Sequence, residues 1–111
     1  MSSNKGKETI SDAAPQIDYS GFKDIEQVDM LQIQKTTQEF ADKVLGHGLR
    51  FRRLSVRMKA IHKVENNQKF EIHVAIEGFR KTRSAEVTDK NIFKALDLAC
   101  KKLLVEVQKE R

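Results

Sequence analysis

The stretch LRFRRLSVRMK, residues 49–59, alternates apolar and polar side chains. Leu49, Phe51, Leu54, Val56 and Met58 are apolar, with one slip in phase at Arg52–Arg53, and Arg53, Ser55, Arg57 and Lys59 take the other parity. A strand sends successive side chains to opposite faces. The stretch therefore reads as a strand extending towards His62, with one apolar face and, from Arg53 onward, one nearly all-cationic face. KFEIHVAIEGF, residues 69–79, alternates as cleanly, with Phe70, Ile72, Val74 and Ile76 inward and Glu71, His73, Ala75 and Glu77 outward. VENNQ at 64–68 has turn composition, so the two runs predict an antiparallel hairpin.

The flanking segments complete a pattern around this hairpin. QIDYSG, residues 16–21, reads as a short first strand with Ile17 and Tyr19 on one parity, ended by Gly21. FKDIEQ is then a loop. From Asp29 the period becomes helical, with Met30, Ile33, Thr37, Phe40, Ala41 and Val44 at three-to-four spacing. Asp29 is the expected N-cap, and the GHG at 46–48 the expected stop. KTRSAEV, residues 81–87, predicts a fourth strand. A last helix follows, capped by Asp89 or Asn91, with Phe93, Leu96, Cys100, Leu103 and Val107 as its apolar stripe and Ile92, Ala99 and Leu104 beside it. Asp97 and Lys101 form a favourably ordered i,i+4 pair. The order β-α-β-β-β-α predicts an α+β two-layer sandwich: a mostly antiparallel four-stranded sheet with both helices on one face.

Composition sets the bounds. The 111 residues, 39% hydrophobic and 33% charged, suit one domain with a modest core, placed at 16–111. Residues 1–15, rich in Ser, Lys, Glu and Asp, read as a disordered tail. Neither a secretory signal nor an apolar run of about 20 residues is present, which predicts a soluble cytoplasmic protein with no membrane partner. The single Cys100 reads as a small buried hydrophobe. Charge is unevenly spread: residues 1–45 hold five Lys/Arg against eight Asp/Glu, and residues 46–111 hold sixteen against eight. A basic excess confined to one part of a chain attracts polyanions, nucleic acid first.

Catalytic chemistry is sparse. His47 sits between glycines, and His73 between two outward glutamates reads as a surface residue. No HExxH, paired CxxC, glycine-rich phosphate loop or GxSxG elbow occurs, and no ligand cluster for a metal. The expectation is a non-enzyme with neither cofactor nor small-molecule substrate. The basic residues say more. Arg50, Arg52, Arg53, Arg57, Lys59 and Lys63 lie in and around the second strand; Arg80, Lys81 and Arg83 follow the third; Lys94, Lys101, Lys102, Lys109 and Arg111 lie on or beyond the last helix. Long cationic side chains spread over several elements can meet successive phosphates. The outward sheet face carries no aromatic platform, which favours structured RNA over single-stranded sequence. Apart from Lys63, these residues are the candidate RNA-binding set.

The closing segment DKNIFKALDLACKKLLVEVQKER, residues 89–111, resembles the last helix of the ribosome hibernation-promoting factor family. That family includes ribosome-associated inhibitor A and was once labelled sigma-54 modulation protein. Asn91, Phe93, Ala95-Leu96-Asp97 and Lys101-Lys102-Leu103 stand at the places of the family's acidic starter, aromatic, A-I-D-like and D-K-L steps. Tyr19-Ser20-Gly21 resembles the end of its first strand. Val105 departs from the family, which has an arginine there. The resemblance implies a divergent short-form, monomeric, rRNA-binding factor on the small ribosomal subunit that inhibits translation under stress. It assigns RNA contact to Lys102, Lys109 and Arg111 in particular. Two other readings remain open: a double-stranded or structured RNA-binding module unrelated to hibernation, and a protein-interaction module using the open sheet face.

Overall fold

A computed structural model describes residues 15–62, 68–78 and 80–109. The expected tail up to Ala14, most of the 64–68 turn, and Lys63 and Arg111 lie outside these residues. The elements are β1 (Gln16–Ser20), α1 (Gln27–Gly46), β2 (Arg53–His62), β3 (Gln68–Glu77), β4 (Thr82–Asp89) and α2 (Ile92–Gln108). The four strands lie in the order β1-β2-β3-β4. β1 runs parallel to β2, and the other two pairs are antiparallel. A parallel pair needs a long crossover, and α1 supplies it. The predicted α+β architecture is the one observed.

One parity of the sheet and one stripe of each helix form a single core. Leu54, Val56 and Met58 of β2, Ile72, Val74 and Ile76 of β3, and Ala85 of β4 are buried against Ile33, Phe40 and Val44 of α1 and Leu96, Ala99 and Leu103 of α2. Each fully buried aliphatic side chain contributes about 1.5–3 kcal/mol. The slip at Arg52–Arg53 has a structural cause. Arg53 is the register partner of Glu77, and the Arg52 N–H donates to the same Glu77 carbonyl at 2.8 Å. Two residues thus face one, as in a β-bulge, and the extra residue lets both Phe51 and Leu54 turn into the core.

Gly21 ends β1 with φ of +85°, and a Cβ there would collide with the Met58 carbonyl. Tyr19 ties β1 to α1 through a hydrogen bond with the buried Thr37 hydroxyl, and it meets Phe22 edge-on at 6.0 Å. Two expectations are corrected at the helices. α1 begins at Gln27, with Glu26 at the N-cap position and no side-chain cap, so Asp29 lies inside the first turn, where its charge favours the helix dipole. In α2, Asn91 Oδ1 accepts from the N–H groups of Phe93 (2.9 Å) and Lys94 (3.1 Å), while Asp89 Oδ1 accepts from the Asn91 N–H. That cap sets the phase of the helix. Ile92 therefore opens the buried stripe, and Phe93, expected on it, is 37% exposed.

Candidate nucleic-acid interface

The open sheet face is built by the parity opposite the core. It carries the expected cations Arg53, Arg57 and Lys59 of β2, but register places acids among them. Arg53 lies across from Glu77, Arg57 from His73 and Lys59 from Glu71, and His73 in turn lies across from Glu86 of β4. Arg53 Nε is also 3.4 Å from Asp18 of β1. The nearly all-cationic face of the isolated strand is thus a mixed face in the sheet. Exposed pairs of this kind stabilise by only about 0–1 kcal/mol. They nonetheless leave Asp18, Glu71, Glu77 and Glu86 to repel an approaching phosphate chain. His73 finds its neighbours across the strands, in Arg57 and Glu86, as well as along its own strand.

The basic residues converge instead at one end of the sandwich. The link from α1 to β2 supplies Arg50, and the β3–β4 turn supplies Arg80 and Lys81. Gly78 N–H donates to the Lys81 carbonyl at 2.9 Å and closes that turn. Arg83 of β4 pairs in register with Ile76, so it lies on the helix-covered face, half-buried where the helices stop. These four cations line a cleft of about 320 Å³. Its remaining wall is apolar: Val44, Leu49, Phe51, Ile76 and Val107. Among the described residues, no acid lines it. Both helices end here, with Gln108 Nε2 3.4 Å from the His47 ring. Each helix end carries roughly half a negative charge. Among the described residues, four full cations face these two ends.

The cations of α2 do not form one surface. Lys94 is exposed in the first turn, roughly 20 Å along the helix from the cleft at Val107. Lys101 pairs with Asp97 at 3.1 Å beside the groove between the helices. Lys102 turns the other way, and its Nζ donates to the Glu86 carbonyl at 3.2 Å, covering the edge strand β4. Lys109 pairs with Glu106 at 3.4 Å near the cleft end. Arg52 is exposed beside the bulge. The structure therefore gathers Arg50, Arg80, Lys81 and Arg83 into one site and leaves the other described members of the candidate set distributed. Sequence spacing gave no sign that Arg50 would meet the β3–β4 turn, because the two are joined only through the register of β2 on β3.

Other titratable groups are few. Burial pushes the Cys100 thiol up to about 12, with Asp97 adding to the effect, so it stays protonated. The Glu71 carboxyl is raised, first by its hydrogen bond with Glu86 and then by desolvation and the Glu86 charge, against the pull of Lys59 and His73. Among the described residues no group of three His, Cys, Asp or Glu is placed to hold a metal ion.

No protein-family model and no curated protein matches the sequence. Solved structures do match in fold. The Protein Y N-terminal domain of Thermus thermophilus superposes with a TM-score of 0.64 at 14% identity, over 89% of this chain and 100% of that one. A ribosomal subunit interface protein from Coxiella burnetii superposes with a TM-score of 0.54 at 16% identity, over 86% of this chain and 96% of that one. At these identities the likeness is one of fold.

Proposed function

We propose that the protein is a non-enzymatic ribosome-associated factor that binds small-subunit ribosomal RNA through its basic surface and so inhibits translation or stabilises idle ribosomes. The observation that carries this reading is the fold match over nearly the whole chain to two proteins, one of them a ribosomal subunit interface protein. The resemblance of the last helix to the hibernation-promoting family supports the same reading. The cleft, lined by four cations and by no acid among the described residues, gives it a physical means.

The mechanism is electrostatic and steric. Arginines and lysines neutralise phosphates and release counterions, and the rigid sandwich fills space that mRNA or tRNA needs. Each phosphate contact adds about −0.7 to −0.9 to the slope of log affinity against log salt. The protein acts as a monomer, with no cofactor, in the cytoplasm; among the described residues no helix is long and apolar enough to cross a membrane. Titrating the protein into a cell-free translation reaction tests the proposal. Inhibition saturating near one protein per ribosome is expected, and undiminished translation at a several-fold excess contradicts it.

A double-stranded RNA-binding domain has the order α-β-β-β-α. The paired β1 strand, at Gln16–Ser20 beside β2, favours the ribosomal reading over that one. Binding to plain duplex RNA, with none to ribosomes, reverses the preference.

A further inference from the structure

We infer that the cleft at the helix C-termini is a nucleotide subsite, which seats one unpaired base of an RNA chain on its apolar wall and holds the adjoining phosphates with Arg50, Arg80, Lys81 and Arg83. The inference rests on the proposed RNA-binding function and says where and how the RNA is held.

Three features of the cleft point to this occupant. Its volume of about 320 Å³ is at the lower end of small-ligand pockets, enough for a group of nucleotide size and far too small for a duplex. Its lining joins two chemistries that a nucleotide also joins, a flat apolar body and an anion. The body meets Leu49, Phe51, Ile76 and Val107, and the anion meets four cations with no carboxylate among the described lining residues. Arg50 comes from the α1–β2 link, and Arg80, Lys81 and Arg83 come from the β3–β4 turn and the start of β4, so two segments of the chain bring cations to the cleft. A phosphate chain can thus pass over the cleft with contacts on both sides of an inserted base. A paired base is stacked and cannot enter, so the subsite selects unpaired positions. Among the described lining residues there is no side-chain amide or carboxylate to read a base edge. The open sheet face shows the contrast: its site among Arg57, Lys59 and His73 includes Glu71 and Glu86, and it suits no phosphate.

The test compares a single-stranded ten-nucleotide oligouridylate with an abasic oligonucleotide of the same length and phosphate count. Affinities for the full chain are read by fluorescence anisotropy, and the site by amide chemical-shift mapping. The base-bearing strand is expected to bind about fivefold tighter. Its shifts should centre on Leu49, Arg50, Gly78 and Lys81, and Leu49→Ser should bring its affinity down to the abasic value. Because the probe changes while the protein does not, the comparison stands even if Leu49→Ser folds poorly. Equal affinity for the two strands overturns the subsite and leaves the RNA-binding function in place. Displacement of the strand by free uridine monophosphate at equal concentration also overturns it, since the cleft would then be a small-molecule site. Binding of neither strand at low salt overturns the subsite, and loss of ribosome binding alongside it overturns the function as well.

Discussion

Arg83 of β4 stands directly opposite Ile76 of β3, on the face of the sheet that the helices cover. A strand of this parity would ordinarily continue the core. Here it places a half-buried arginine where the helices end, on the rim shared with Arg50, Arg80 and Lys81. The core-facing position thus serves the cleft.

Replacing Arg83 by methionine keeps most of the volume and removes the charge. Arg83→Met should leave stability within about 1.5 kcal/mol, as volume-conserving changes do. It should lower RNA affinity and reduce the salt slope by about 0.7–0.9, the share of one phosphate contact. Urea unfolding and anisotropy at several salt concentrations measure the two effects.

Gly21 sets the chain's exit from β1. Its φ of +85° is strained for any L side chain, and a Cβ would meet the Met58 backbone, which cannot yield without disturbing β2. Gly21→Ala should destabilise the fold by about 3 kcal/mol. Gly48 has a similar φ of +83° but faces open space, so Gly48→Ala should cost only about 1 kcal/mol. Chemical denaturation of the two variants checks the contrast.

The Glu71–Glu86 pair on the sheet face predicts a pH dependence. The folded state raises the Glu71 pKa above its ordinary 4.5, so it binds more protons there than the unfolded chain does. Stability then falls as pH rises from about that ordinary value through the folded pKa. Glu71→Gln, which keeps a hydrogen-bond donor towards Glu86 without the charge, should raise the urea midpoint at pH 7 and leave it nearly unchanged at pH 4.

Cys100 faces the core, with its thiol pushed up to about 12. A thiol-specific disulfide reagent at pH 8 should leave the folded protein unmodified and react at once in urea, because the thiolate is the nucleophile. Raised pKa of this kind also means that the contribution of Cys100 to stability is lost only as pH rises above about 9, the ordinary thiol value. Rapid modification of the folded protein would contradict the packing of α2.

Much of the fold was legible because alternation and helical period survive in short windows. Leu54, Val56 and Met58 declare one face of β2, and Ile33, Phe40 and Val44 one face of α1. The bulge was visible only as a slip, since a one-residue insertion shows in sequence as a change of phase. Phe93 misled because a stripe's phase depends on its cap, and two residues competed for that role. The site was less legible. Arg53, Arg57 and Lys59 looked like an open cationic face because the strand's own sequence does not reveal the acids that register brings opposite. Arg50, Arg80 and Arg83 are far apart in sequence, and only the β2–β3–β4 register and the common end of the helices bring them to one cleft.

Co-sedimentation with separated ribosomal subunits, at low and moderate salt, tests whether the cleft holds the protein on the small subunit. Three proteins are compared: the unaltered chain, Arg50→Ala/Arg80→Ala/Lys81→Ala, and Arg53→Ala/Arg57→Ala/Lys59→Ala. The unaltered chain is expected to pellet stoichiometrically with the small subunit, with pelleting lost in the cleft variant and largely kept in the sheet-face variant. Absence of pelleting at low salt, or loss in the sheet-face variant alone, would contradict this reading.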